Sequence, residues 1–228
     1  MIVSIIIPCF NELKTIRIII DQITEHIKYK HEIIIIDDNS TDGTRQLLKQ
    51  TISKKIPKIF YNEKNFGKGY CIKKGIKEAS GDIILIQDAD LEYSPKDYTN
   101  LIEPIINNYA DVVFGSRFKG GKENRVLRFW HYIANKILTT FSNIFTNYNL
   151  TDMECGYKVF RSNIIKKIQL EENRFGFEPE ITAKISKLNI RLYEVSVSYY
   201  GRTYAEGKKI TLKDAFRALY CIIKYRLF

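Results

Sequence analysis

Asp88 and Asp90 are separated by one small residue, Ala89, and follow four apolar residues, Ile83-Ile84-Leu85-Ile86. The apolar run reads as a buried strand. In an extended segment side chains alternate faces, so the two carboxylates would point the same way. Two like charges aimed at one spot repel each other unless a cation lies between them. A divalent ion with oxygen ligands and an attached phosphate is a natural occupant. An ordinary polar turn after a strand would look the same, so the surroundings have to decide.

Stepping outward, Ile2 to Pro8 is a β-rich apolar run, followed by Asn11-Glu12 and a helical pattern through Ile16, Ile19, Ile20, Ile23 and Ile27. Ile33 to Ile36 is a second apolar run and ends in Asp37-Asp38-Asn39-Ser40-Thr41-Asp42-Gly43-Thr44, where Ser40 or Thr41 could cap a helix carrying Leu47 and Leu48. Ile56 to Tyr61 is a weaker strand. Asn65-Phe66-Gly67-Lys68-Gly69 makes a loop before a helix to Ala79. Strands alternating with helices predict an α/β fold with a mostly parallel sheet and helices on both faces. Ligands of such sheets sit at the carboxyl ends of strands, where Asp37-Asp38 and Asp88/Asp90 both fall.

Past Asp90, Pro95 to Asn107 reads as a helix and Asp111 to Phe114 as a strand ending in Gly115-Ser116-Arg117. A helix from about Val126 to Phe145 is rich in large apolar residues, with Arg125, Arg128 and Lys136 interspersed. Ile190 to Tyr199 alternates like a strand. Leu212 to Phe228 is helical in pattern and amphipathic, with Phe216, Leu219, Tyr220, Ile223 and Leu227 near one face. No repeat or linker interrupts the chain, so 1–228 is read as one domain.

The chain of 228 residues is 45% hydrophobic and carries a net charge of +10, which calls for an anionic partner: nucleic acid, a phosphorylated substrate or an acidic membrane surface. No zinc finger, RRM signature or basic helix is present, and the acidic clusters would repel a nucleic-acid backbone, so nucleic acid is not expected. Cys9, Cys71, Cys155 and Cys221 lie far apart, which argues against a zinc site or a disulfide scaffold and fits a reducing compartment. His26, His31 and His131 show no ligand spacing. No signal peptide is read, and no apolar run approaches the roughly 18 residues that span a bilayer. The expected location is cytoplasmic, peripheral on the inner face of the membrane.

Several stretches together resemble the family 2 inverting glycosyltransferases, and among them the polyprenyl-phosphate (dolichyl-phosphate) mannose or glucose synthases. They are Ile7-Pro8-Cys9-Phe10-Asn11-Glu12, Asp37 through Thr44, Asn65 through Gly69, Gly81-Asp82 through Asp88-Ala89-Asp90-Leu91-Glu92, Gly115-Ser116-Arg117, Thr151-Asp152 with Gly156 through Arg161, Phe177-Glu178-Pro179-Glu180, and Tyr200-Gly201-Arg202 with Glu206-Gly207-Lys208. They occur in the family's order and cover nearly the whole chain. Glu92 stands where the family often has Gln. The C-terminal transmembrane helices of some members have no counterpart.

The resemblance implies a GT-A-like, Rossmann-like three-layer sandwich whose 1–115 half binds a nucleotide sugar and whose 116–228 half binds the acceptor. Pro8, Phe10, Asn11 and Glu12 would line the base and ribose pocket; Asp38 would hydrogen-bond the base, with Asp37 supporting that loop. Lys68 would reach base or phosphate. Asp88 and Asp90, with Ala89 between, would hold Mg²⁺ or Mn²⁺ against the diphosphate of a GDP-mannose or UDP-glucose donor. Arg202 and Lys208 would close over the phosphates. Arg117, with Arg125 or Arg128, would bind a lipid phosphate acceptor. A saccharide or other hydroxyl acceptor would instead need a base, for which Asp152 is the candidate; the alternative is that Asp152 only orders the sugar pocket. Glu178 and Glu180 would brace that pocket or contact sugar hydroxyls, or one would cap the following helix. Trp130, Ile133, Ile137, Leu138, Phe141, Ile144 and Phe145 would line a greasy acceptor channel or touch the membrane.

Overall fold

The structure, a computed structural model, describes residues 1–126, 128–202 and 212–227. The chain runs β1 (Val3–Cys9), α1 (Ile16–His26), β2 (His31–Asp37), α2 (Thr44–Gln50), β3 (Lys58–Tyr61), α3 (Lys68–Glu78), β4 (Ile83–Ile86), α4 (Tyr98–Ile106), β5 (Val112–Ser116), α5 (Phe129–Thr146), β6 (Lys158–Arg161), α6 (Ser162–Ile165), α7 (Phe177–Ile185), β7 (Leu192–Ser196) and α8 (Leu212–Leu227), with short 3₁₀ turns at Ile52–Lys54 and Pro95–Asp97.

One seven-stranded sheet has the order β3-β2-β1-β4-β6-β5-β7. Every pairing is parallel except those of β6, which runs antiparallel to both β4 and β5. The expectation of a mostly parallel sheet holds. Because β6 slots between β4 and β5, residues on either side of 115 share one sheet.

The apolar runs are continuous because both faces of the sheet are covered. Ile5 and Ile7 of β1, with Ile83 and Leu85 of β4, face one core against α1 and α4. Ile6, Ile84 and Ile86 face a second core against α3 and α7. This is the three-layer sandwich. Gly75 lets α3 lie close to the sheet, since a Cβ there would run into Ile6 Cγ2.

β1 is the switch point: β2 and β3 extend the sheet to one side of it and β4 begins the other. A crevice at the carboxyl ends of β1 and β4 is where such a sheet holds its ligand.

One expectation is corrected, and the structure decides which faces of two helices are covered. The N-cap position of α2 is Gly43, and the helix start is tied down by Asp42 Oδ1, which accepts from Thr44 N at 3.0 Å; Ser40 Oγ instead accepts from Asn11 N at 2.9 Å. The buried stripe of α5 is small and polar (Asn135, Thr139, Ser142 and Thr146), while Trp130, Ile137 and Ile144 are exposed. Of the apolar face read for α8, Phe216, Tyr220, Ile223 and Leu227 point outward; Ala218, Cys221, Ile222 and Tyr225 face in. An apolar pattern marks a helix but does not say which of its apolar sides is covered.

Candidate active site

A cavity of about 660 Å³ opens at the switch point. Pro8, Phe10, Glu12 and Asp38 line it from β1, β2 and the segments after them; Lys68 lines it from α3, and Asp88, Ala89 and Asp90 from the loop after β4. It continues past Arg117, Arg128, Glu154 and Glu178 to Trp130, Ala134 and Leu138 of α5 and Ala215 and Ala218 of α8.

Asp88 and Asp90 both reach the cavity, but not by strand alternation. β4 ends at Ile86, and Ala89–Asp90 form a turn. Leu91 then adopts a left-handed φ of 64°, uncommon for a non-glycine residue, and Glu92 N donates to Asp90 Oδ1 at 3.1 Å. Buried Gln87, which the sequence reading passed over, anchors this loop. Its Oε1 accepts from the hydroxyls of Tyr98 and Tyr157, each at 2.7 Å, and its Nε2 donates to Asp88 O at 2.9 Å. Opposite, Gly156 leaves room for Asp88, because a Cβ there would collide with Asp88 Oδ2.

Two side-chain cations serve the acidic pair. Lys68 Nζ lies 2.9 Å from Asp88 Oδ1 and 3.1 Å from Glu178 Oε1. Burial would lower the Lys68 ammonium, but Asp88 and Glu178 outweigh it and raise the group above its ordinary value. Arg202 Nη2 lies 2.8 Å from Asp90 Oδ2, with Glu12 at 3.4 Å and Glu92 at 3.5 Å. Even so, burial and the charges of Asp88 and Glu92 push the Asp90 carboxyl up to about 7 against the pull of Arg202. Among the described residues, eight carboxylates but five Lys or Arg side chains line the cavity, on a chain of net charge +10. That surplus of acid suits a divalent cation. Among the described residues no three His, Cys, Asp or Glu converge into a closed metal site. Two aspartates completed by phosphate oxygens are how Mg²⁺ is commonly held beside a nucleotide, so the donor set fits Mg²⁺ or Mn²⁺.

The other expected site residues fall into two groups. Asp38 lines the cavity, but its Oδ1 already accepts from Asn62 Nδ2 at 2.8 Å and Phe66 N at 3.0 Å, and its Oδ2 from Gly67 N at 2.7 Å. It pins the loop ahead of α3. Asp37 is buried behind it in an ion pair with Arg45 at 2.6 Å, and Asn11 Oδ1 accepts from Thr41 N at 2.8 Å; neither lines the cavity. Arg117 lines it but is held by Asp152, which accepts from Arg117 N at 3.0 Å, Nε at 2.7 Å and Nη2 at 2.7 Å. Asp152 itself is fully buried and outside the cavity wall. In this geometry Asp152 braces Arg117 rather than facing the cavity. Arg128 is exposed at the cavity rim, whereas Arg125 lies outside the wall and donates from Nη1 to Gly201 O at 2.9 Å. Glu180 is fully buried and holds backbone: it accepts from Glu171 N at 2.6 Å and Glu172 N at 2.9 Å. Glu92, flagged by its residue type, joins the loop after β4 to the segment at 199–202 by accepting from Tyr199 Oη at 3.0 Å and Arg202 N at 2.8 Å. Lys208 lies outside the described residues.

Comparison with known proteins bears on this geometry. The family model for glycosyl transferase family 2 matches residues 4–169. The chain belongs to glycosyltransferase family 2. It is 28% identical to the UDP-N-acetylglucosamine–dolichyl-phosphate N-acetylglucosaminyltransferase of Methanococcus voltae, over 99% of this chain and 96% of that protein. It is 29% identical to the dolichol-phosphate mannosyltransferase of Pyrococcus furiosus, covering 99% of this chain but only 64% of that protein. Its fold matches the glucosyl-3-phosphoglycerate synthase of Mycobacterium tuberculosis, solved with Mn²⁺, uridine diphosphate and glucosyl-3-phosphoglycerate, with a TM-score of 0.75 at 18% identity over 98% of this chain and 79% of that one. The glycosyltransferase thus has polyprenyl-phosphate sugar transferases among its curated relatives and a GT-A glycosyltransferase among its structural neighbours.

Proposed function

We propose that this transferase moves a hexose from a nucleotide sugar, of the GDP-mannose or UDP-glucose class, to a polyprenyl phosphate at the membrane surface, with inversion at the anomeric carbon. One observation carries the reading: a single cavity has Asp88 and Asp90 in its wall and continues to Trp130, Ala134 and Leu138 of α5 and Ala215 and Ala218 of α8. The polar part suits a metal–diphosphate, and the apolar part suits a lipid chain. The relatives that act on dolichyl phosphate support the same acceptor.

Asp88 and Asp90 would hold Mg²⁺ or Mn²⁺, which when bound supplies Lewis-acid neutralisation of the departing nucleoside diphosphate. Lys68 and Arg202, already beside these carboxylates, keep positive charge against the phosphates. Pro8 and Phe10 give the base an apolar wall. The acceptor phosphate is an anion at neutral pH and attacks in one displacement without a strong base. Arg117 and the rim residue Arg128 would orient it. A hydroxyl acceptor would need a base, and Asp152, held by Arg117, gives that alternative no support.

Adjacent helices α5 and α8 expose Phe129, Trp130 (78% exposed), Ile137, Ile144, Phe216 (73%), Tyr220 and Leu227. Basic side chains on the same helices include Lys136 and Arg217. This arrangement supports peripheral docking on an anionic bilayer. Among the described residues no helix is long and apolar enough to cross a membrane.

The test is a panel of UDP- and GDP-sugars with Mg²⁺ or Mn²⁺, read first as thermal shift. A matching donor at about 100 times its Kd stabilises by about 2.7 kcal/mol, a Tm rise of roughly 5–10 °C. The stabilising donor is then incubated with polyprenyl phosphate, and the lipid-linked sugar is extracted and its anomeric configuration determined. If no nucleotide sugar stabilises the protein in the presence of metal, the reading is wrong.

A further inference from the structure

Two carboxylates in the cavity wall have no part in holding the diphosphate or its cation. Glu178 opens α7 and is 4% exposed; its Oε1 meets Lys68, but its Oε2 is buried with no hydrogen-bond donor among the described residues. Glu154, in the loop before β6, likewise has a buried Oε1 without a donor among the described residues. The nearby cation Lys158 attracts both carboxyls, but its Nζ gives its hydrogen bonds to Met153 O at 3.0 Å and Cys155 O at 2.5 Å. Burial and the charge of Glu178 push the Glu154 carboxyl up to about 8 against the pull of Lys158 and Arg117, so Glu154 keeps its proton near neutral pH.

Both carboxylates line the same cavity as Asp88. Glu154 is two residues before Gly156, whose backbone is pressed on Asp88 Oδ2, and Glu178 is joined to Asp88 through Lys68. A buried acceptor without a donor is costly, and a ligand that supplies hydroxyl groups relieves that cost. Immediately beyond a diphosphate held at Asp88, such a ligand is the sugar itself.

The geometry points to Glu154, acting with Glu178 Oε2, as the specificity determinant for the transferred sugar: the pair accepts hydrogen bonds from hydroxyls of a neutral hexose and rejects uronic acids. This rests on the nucleotide-sugar reading above. A uronate would bring a third carboxylate to a place where Lys68 and Lys158 are already committed.

Binding titrations on the full chain with Mn²⁺ test it. They use the nucleoside diphosphate, the neutral nucleotide hexose and the matching nucleotide uronate: UDP, UDP-glucose and UDP-glucuronate, or GDP, GDP-mannose and GDP-mannuronate. The neutral hexose should bind at least about tenfold tighter than the uronate, as expected when buried polar groups lose their partners. Glu154→Ala should weaken the neutral hexose at least about fivefold more than it weakens the nucleoside diphosphate. Glu154→Gln, which keeps the shape but cannot ionise, should leave the hexose-to-uronate gap nearly unchanged at pH 7 and narrow it above pH 8, where the wild-type carboxyl is charged. Equal binding of hexose and uronate by the wild type, or equal losses for hexose and nucleoside diphosphate in Glu154→Ala, would overturn this inference alone. No binding of either nucleoside diphosphate would overturn the donor reading together with it.

Discussion

Arg117 and Asp152 are locked together, Asp152 taking three donors from one partner inside the protein. Asp152→Asn keeps the shape and strips the counter-charge from a buried guanidinium. Breaking a buried pair from one side costs about 3–5 kcal/mol. The expected outcome is a Tm fall of roughly 10 °C, with lost activity following lost fold, read by thermal melting. A variant that melts like the wild type yet fails to turn over would restore Asp152 as a base. Asp88→Asn is a different case, since Asp88 lies at the cavity wall. The protein should remain folded, lose Mn²⁺-dependent stabilisation by its nucleotide, and lose about 10²–10³ in kcat. Retained metal-dependent stabilisation would remove Asp88 from the metal site.

Elements meet at positions where a single atom matters. Gly75→Ala would drive a methyl into Ile6 Cγ2 and force α3 off the sheet, at a cost of about 1–3 kcal/mol in a denaturant titration. An unchanged midpoint would mean that α3 has slack. Glu32 ties β1, β2 and β3 to the end of α3: its Oε1 accepts from Ser4 Oγ at 2.5 Å and Ser80 N at 2.7 Å, and its Oε2 from Lys58 Nζ at 2.6 Å. Burial alone would raise this carboxyl, but the bonds from Lys58, Ser4 and Ser80 outweigh it and hold it at about 2. Its folded value is therefore below the unfolded value of 4.5. The stabilisation is fully present above the unfolded value and fades as pH falls through the folded one. Wild type should melt well above Glu32→Gln at pH 7, and the two curves should converge as pH drops from about 4.5 towards 2. A constant difference across that range would discount the ionised form.

At the scale of the whole molecule, the net charge of +10 and the acid-lined cavity pull in opposite directions. The positive surface suits an anionic bilayer, while the acidic cavity suits a cation-bound donor. The outward apolar residues of α5 and α8 are what would enter the interface. Ile144→Asp with Phe216→Asp should leave the melting temperature nearly unchanged, since both side chains are already exposed, and should abolish sedimentation with anionic liposomes at low salt. Co-sedimentation equal to that of the wild type would place the membrane contact elsewhere.

By itself the amino-acid sequence determined the alternation of strands and helices, the mostly parallel sheet, and the position of Asp38, Asp88 and Asp90 at strand ends. Those features are local: continuous apolar runs, polar punctuation and period are written within a few residues of where they act. Only the tertiary structure decided which charge answers which. Lys68 reaches Asp88 across 20 positions and Arg202 reaches Asp90 across 112, so no local pattern could name them as partners. The same holds for Arg117 with Asp152, and for Glu154, whose buried Oε1 has no hydrogen-bond donor among the described residues. Which side of α5 and α8 faces inward was also beyond the pattern, because both helices carry apolar residues on more than one side, and what covers a face is fixed by elements far away in the chain.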